Sequence, residues 1–180
     1  MASSACPGCG LVLPDADRPL TERINASAAC RLVHDRVGAF EADHLALARF
    51  RQLRVDAYGA QHAGPPTPAI RVAYGLVGLH LALDRGVSGS GVRTAHSRMG
   101  RPRPDWPRFE AAPRADVTIA DVAAAGVEAG SGTGHAEALL RWAASVWASW
   151  SSSHDEVAAL TGRLFSGSEP FWHATDRYLP

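Results

Sequence analysis

The residues with the most chemistry in this chain are its three cysteines and the histidines that could join them. Cys6-Pro7-Gly8-Cys9-Gly10 forms a CxxC knuckle whose glycines permit a tight turn pointing both sulfurs at one ion. Thiolates suit zinc, which is borderline-soft and accepts tetrahedral geometry, and thiolate sites also take iron. Cys30 is the third candidate ligand, and His34 follows it at i+4 on the same side of a helix. The resulting C-x2-C-x20-C-x3-H spacing is that of a Cys3His structural site. His62 competes for the fourth position. If the chain folds back near residue 42, Cys30 lies level with residues 54–56, and Val55, Tyr58 and His62 share the helix face that the knuckle would cover. Helical spacing favours His34. Two other readings are an exposed CxxC with an unrelated core cysteine, and a redox pair, against which stands the lack of a thioredoxin-like βαβ pattern.

A second group is interior. Asp56, Gln61, His80 and His154 fall on or beside apolar faces, and buried polar groups need partners. One reading is a pocket with Asp56, Tyr58, His80 and His154 as a catalytic acid–base set. The plainer reading is histidines satisfied by a carbonyl or hydroxyl. At about 1.5 Å of rise per residue, His62 and His80 lie on the order of 20 Å apart along a helical hairpin, so they do not share a metal.

Several chemistries are excluded. GVSGSGV follows a helix rather than a strand, so it is no dinucleotide fingerprint, and GSGTGH lacks the Lys-Ser/Thr of a phosphate loop. Neither GxSxG nor HExxH occurs. All basic residues are arginine, which removes Schiff-base lysine chemistry and suggests a GC-rich bacterial genome. A net charge of zero argues against a nucleic-acid partner. Arg101, Arg103, Arg108 and Arg114 are nearly cancelled by Asp105, Glu110 and Asp116. No signal peptide and no membrane span is legible, so a cytoplasmic protein is expected.

The elements that must position these groups read as all-α. The 180 residues suit one domain, and 46% hydrophobic composition argues against disorder. Residues 1–20 read as a Cys knuckle and linker, 21–165 as a helical bundle, and 166–180 as an aromatic tail packing back on it. Ser27 caps a helix over 27–41, with Cys30, Val33, Val37 and Phe40 on one face. Asp43 caps a second helix over 43–62. A third runs over 68–85 and stops at Gly86, with small residues Gly75, Gly78 and Ala82 turned outward toward a loop or a second copy. Residues 86–117 read as a long loop excursion. Thr118 and Asp121 form a capping box opening a short helix over 119–125. A long helix over 135–165 completes an antiparallel bundle of about four long helices with a long crossover.

Three segments, CPGCGLVLPD at 6–15, VDAYGAQHAG at 55–64 and WAASVWASW at 142–150, together resemble a family of small bacterial proteins catalogued as a domain of unknown function. Its pattern is CPxCG, then Ser…Cys, then VDAYxxQHPG, then a Trp-rich helix. The matching positions are Cys6, Cys9, Ser27, Cys30, Val55, Asp56, Tyr58, Gln61, His62, Trp142 and Trp147. Ala63 stands where the family has Pro, and the pattern holds no histidine at the position of His34, so the resemblance favours His62 as the ligand. The family implies no known reaction. At fold level alone, the chain also looks like the bundles of DinB-like metal-dependent enzymes.

The expectation is therefore a zinc-binding helical protein with a small-molecule pocket in the bundle and scope for enzymatic activity. The alternative is a non-enzymatic, zinc-stabilised interaction or regulatory module.

Overall fold

The computed structural model describes residues 2–17, 19, 23–100, 105–110 and 114–166. Arg101, Arg103 and the aromatic tail beyond Ser166 lie outside the described residues. The protein is mainly helical, with one small antiparallel sheet at the N-terminus. No helix among the described residues is long and apolar enough to cross a membrane.

Strands β1 (Ser3–Ala5) and β2 (Val12–Pro14) pair antiparallel, with Ser4 opposite Leu13. They were not expected from the sequence, being only three residues each. They form the stem of the knuckle: the Cys6 amide donates to the Leu11 carbonyl (2.8 Å) and the Gly10 amide to the Cys6 carbonyl (2.8 Å). Gly10 has φ of 78°, a left-handed conformation that favours glycine.

Helix α1 (Ala28–Asp43) begins where the sequence places it: the Ser27 hydroxyl accepts the Cys30 amide at 3.2 Å. Its buried residues, Cys30, His34, Val37 and Glu41, follow helical spacing. Asp43 does not cap the next helix; it is the last residue of α1. His44 turns to extended backbone, and its Nδ1 donates back to the Phe40 carbonyl at 2.8 Å, satisfying a last-turn acceptor. A 3-10 stretch, Leu45–Phe50, then leads into α2 (Arg51–Gln61).

α2 is the central helix. Leu53, Arg54, Asp56, Ala57, Tyr58, Gly59 and Ala60 are all buried. It packs against α3 (Ala69–Leu79) and later elements. The small residues of α3 do not face outward as expected. A Cβ at Gly75 would lie 2.7 Å from the Asp56 carbonyl oxygen, so this glycine lets the two backbones approach. α3 continues as a π-helical turn, His80–Asp84.

The excursion over 86–117 contains a helix that the sequence did not reveal, α4 (Gly89–Met99). Its glycines disguise it. Ser88 accepts the Gly91 amide at 3.2 Å, and Val92, Ala95 and Met99 bury one face. The Thr118–Asp121 capping box is present and opens α5 (Ile119–Ala123), which passes into a π turn over Ala124–Glu128.

The expected helix over 135–165 is two, α6 (Gly132–Ser149) and α7 (His154–Leu164), separated by a 3-10 turn at Ser151–Ser153. Serine side chains compete for backbone groups here. Ser149 Oγ donates to the Val146 carbonyl at 2.7 Å, and His154 Nε2 donates to the Trp147 carbonyl at 3.0 Å. About four long helices therefore becomes seven shorter ones among the described residues. Their buried side chains form one continuous apolar cluster that includes the three cysteines.

Candidate functional site

Cys6, Cys9, Cys30 and His62 converge. Each offers one ligand atom, all four residues are buried, and these atoms lie within 4.8 Å of one another. The cluster could hold a metal ion. Cys9 Sγ and Cys30 Sγ are 3.8 Å apart, and Cys30 Sγ and His62 Nε2 are 3.4 Å apart. A tetrahedral ion with metal–sulfur bonds of about 2.3 Å has ligand–ligand edges of about 3.8 Å for S···S and slightly less for S···N. These two edges match four-coordination.

Each ligand is positioned by a separate element. The knuckle supplies Cys6 and Cys9, the first turn of α1 supplies Cys30, and the C-terminal end of α2 supplies His62. Ser27, besides capping α1, donates its backbone N–H toward Cys6 Sγ at 3.4 Å. Gly8 packs where a Cβ would overlap the Asn25 carbonyl and lie 2.7 Å from the His62 ring, so a larger residue would push the knuckle off the site. Thr67 locks the loop after His62: its hydroxyl donates to the His62 carbonyl (2.6 Å) and accepts the Asn25 amide (2.8 Å). Tyr58 donates its hydroxyl toward Cys30 Sγ at 3.7 Å.

The electrostatics point the same way. Hydrogen bonds from Cys30 and Cys9 pull the Cys6 thiol far below its ordinary value, and those from Cys6 and Cys9 push Cys30 up. Burial opposes protonation of His62, but its bonds to Cys6 and Cys9 outweigh that and raise it to about 9. Burial and the adjacent Cys30 keep the Tyr58 hydroxyl protonated. Packed sulfurs that share protons in this way are sulfurs whose charge a divalent cation would neutralise.

His34, expected beside Cys30 from its i+4 spacing, lies outside the four-residue cluster. Its Nε2 accepts a hydrogen bond from the Arg54 guanidinium at 2.5 Å. Burial first, then Arg54 and Arg31, hold it down to about 2, so it stays neutral with its acceptor turned to a cation. Arg54 in turn donates through Nε to Glu41 Oε2 at 2.9 Å, and His135 Nε2 donates to Glu41 Oε1 at 3.1 Å. Sequence reading missed Glu41, Arg54 and His135. Glu41 could have been found, because it stands at i+11 from Cys30 on the buried stripe of α1.

A second feature is a cleft of about 320 Å³ between α1, α2, α3 and α4. Its apolar wall is Ile24, Val55, Ile70 and Tyr74, and its polar lining includes Arg31, His34, Gln52, Asp56, Arg71 and His96. Asp56 and Tyr58, both expected at a pocket, line it. Gln52 Nε2 links Asp56 Oδ1 (2.9 Å) with His96 Nδ1 (3.2 Å). Asp56 Oδ2 and His96 Nε2 are buried without a hydrogen-bond partner. A Cβ at Gly78 would overlap the Asp56 carboxyl, so only glycine admits this carboxyl between the helices. Burial raises Asp56 well above the usual carboxylate range and lowers His96 to about 4. His96 sits on the helix that sequence reading assigned to a loop.

The other two histidines expected in the acid–base set lie elsewhere. His80 Nδ1 donates to Asp84 Oδ2 at 2.8 Å, and Trp147 Nε1 donates to the other Asp84 oxygen at 3.0 Å. His154 stacks on Trp147 with ring centroids 3.8 Å apart. Neither residue lines the cleft. Gln61 is a tie between elements: it donates to the Val117 carbonyl (2.9 Å) and accepts the Trp142 indole N–H (2.8 Å).

The motif VDAYGAQHAG is thus one helix and its exit loop with a distinct task at nearly every polar position. Asp56 goes to the cleft, Tyr58 to Cys30, Gln61 to Trp142 and His62 to the cysteine cluster. No curated protein and no solved structure matches the chain. A profile described as a family of unknown function, DUF5946, matches residues 4–151, which hold the knuckle, every cluster ligand and the whole of the cleft. The chain belongs to the family of unknown function DUF5946.

Proposed function

We propose that this chain is a zinc-stabilised helical protein that binds a small molecule in the cleft along α2. The observation that carries the metal reading is the convergence of three buried thiols and one imidazole within 4.8 Å. Three thiolates and an imidazole complete a tetrahedral shell and leave no open position for substrate, so the metal's task is structural. It clamps the N-terminal knuckle onto α1 and the end of α2, which also form walls of the cleft. Zinc is favoured over iron because the shell is closed, compact and needs no redox chemistry.

The small-molecule reading is supported by chemistry gathered at one place: an uncompensated buried carboxyl, a neutral imidazole and an amide beside apolar walls. Elemental analysis of the purified protein tests the metal: close to one equivalent of zinc per chain is expected. Cys6→Ser/Cys9→Ser protein should lose it. Full zinc occupancy in that variant, or stoichiometric iron in the parent, overturns the assignment.

A further inference from the structure

Tyr58 belongs to both sites. It is buried, it lines the cleft, and its hydroxyl donates toward Cys30 Sγ at 3.7 Å. Its ring packs on two imidazoles, with centroids 4.1 Å from His34 and 4.1 Å from His62. His34 lines the cleft, and His62 belongs to the cluster. The three rings thus form a packed path from the cleft to the cluster. The chemistry of the cluster gives the hydroxyl a task. A divalent ion held by three thiolates and a neutral imidazole forms an anionic complex, and a buried anion needs hydrogen-bond donors. The Ser27 amide supplies one to Cys6 Sγ at 3.4 Å, and the Tyr58 hydroxyl supplies one to Cys30. The first donor is main chain, fixed by the start of α1. The second is a side chain that also forms part of the cleft wall.

We propose that Tyr58 is a positioning residue that links the two sites: its hydroxyl holds the metal-bound Cys30 thiolate, and its ring carries the state of the cluster to the cleft wall at His34. This rests on the metal reading above and extends it, because the metal then sets the shape of the cleft as well as the position of the knuckle. Groups that bond to metal ligands orient them and tune their charge. With the ion bound, Cys30 and His62 are fixed, so Tyr58 is held both at its hydroxyl and on its ring. Without the ion, both anchors loosen together, and His34 loses the firm ring against which it packs.

The test uses the full chain loaded with cobalt(II), zinc or cadmium, beside Tyr58→Phe, which deletes only the hydroxyl, and Tyr58→Leu, which deletes the ring as well. Cobalt reports on the thiolates by its absorption. In Tyr58→Phe the sulfur-to-cobalt charge-transfer band should move to lower energy, because the thiolate keeps more of its electron density, while the d–d bands remain those of a tetrahedral site. Zinc affinity, measured by competition with a chelator, should fall about tenfold. Cadmium makes longer bonds to sulfur than zinc does, so exchanging the two ions displaces Cys30. That exchange should shift the NMR signals of the His34 ring in the parent, and most of the shift should vanish in Tyr58→Leu. An unchanged band and affinity in Tyr58→Phe overturn the role of the hydroxyl, and a His34 shift that persists in Tyr58→Leu overturns the link to the cleft. Should the leucine variant fail to fold, Tyr58→Phe decides the link: a His34 shift equal to that of the parent overturns it. In each of these cases a tetrahedral cobalt spectrum in the parent leaves the metal reading standing. A parent that takes up no cobalt overturns the metal reading and this inference with it.

Discussion

His62 Nδ1 donates to the Tyr58 carbonyl one helical turn back, at 2.8 Å, and this leaves Nε2, 3.4 Å from Cys30 Sγ, as the nitrogen turned to the cysteines. The backbone thus fixes both the tautomer and the orientation of the ring, as partners of metal-bound histidines generally do. His34 is the mirror case. Its acceptor nitrogen is already spent on a guanidinium.

The two histidines therefore separate in one experiment. His62→Ala is expected to lose stoichiometric metal and to melt well below the parent, because binding energy at such a site is largely folding energy. His34→Ala should retain the metal, with any loss of stability arising from the exposed end of Arg54. Elemental analysis beside a thermal melt checks this. Equal metal content in the two variants would put the fourth ligand elsewhere.

The Arg54–Glu41 pair, with side chains 8% and 0% exposed, should be strongly coupled. Removing one partner of a buried pair strands the other charge and costs about 3–5 kcal/mol, whereas replacing both with apolar groups costs far less. Glu41→Gln is expected to lower the melting temperature by roughly 10 °C, taking about 2–4 °C per kcal/mol for a chain of this size. Glu41→Gln/Arg54→Met should recover part of that loss. Simple additivity of the two single changes would show that the pair is not coupled.

Asp56 gives the stability a pH slope of defined sign. Its folded value lies well above the unfolded 3.8, so between the two the folded chain holds a proton that the unfolded chain has released. Stability is then greatest below the unfolded value and is lost as pH rises, by up to about 1.4 kcal/mol per pH unit. Asp56→Asn keeps the Gln52 contact and removes the ionisation. The variant should be more stable than the parent, with a margin that widens from pH 5.5 to pH 8. A margin that is flat or shrinks over that range would show that Asp56 is ionised in the fold. In the parent and the variant alike, a second effect sets in at the acid side. His34 and His96 are held to about 2 and about 4, so the unfolded chain takes up protons that the fold refuses, and stability falls as pH drops below about 6.5.

By itself, the sequence determined the ligand chemistry and much of the helix grammar. Cysteine spacing and the turn-forming glycines point to a knuckle that could hold a metal, because few other uses place thiols with two residues between them and glycine on either side of the second. The Ser27 cap, the Thr118–Asp121 capping box and the Gly86 stop are local hydrogen-bond and backbone rules that act over a few residues, so they hold in the fold. What only the tertiary structure decided are choices between chemically equivalent residues and breaks in long periodic stretches. His34 and His62 are alike as side chains; Arg54, twenty residues from one and eight from the other, settles which is left for a metal. The apolar period runs on through Ser151, yet the helix breaks there, where His154 bonds back to the Trp147 carbonyl. α4 stayed hidden because glycine-rich helices draw their stability from packing rather than propensity, and so did His96, which that helix carries to the cleft. Asp56 is legible as a buried acid from its place on the helix. That it is left without a cation, between a glycine and an amide, follows only from how closely α2 and α3 approach.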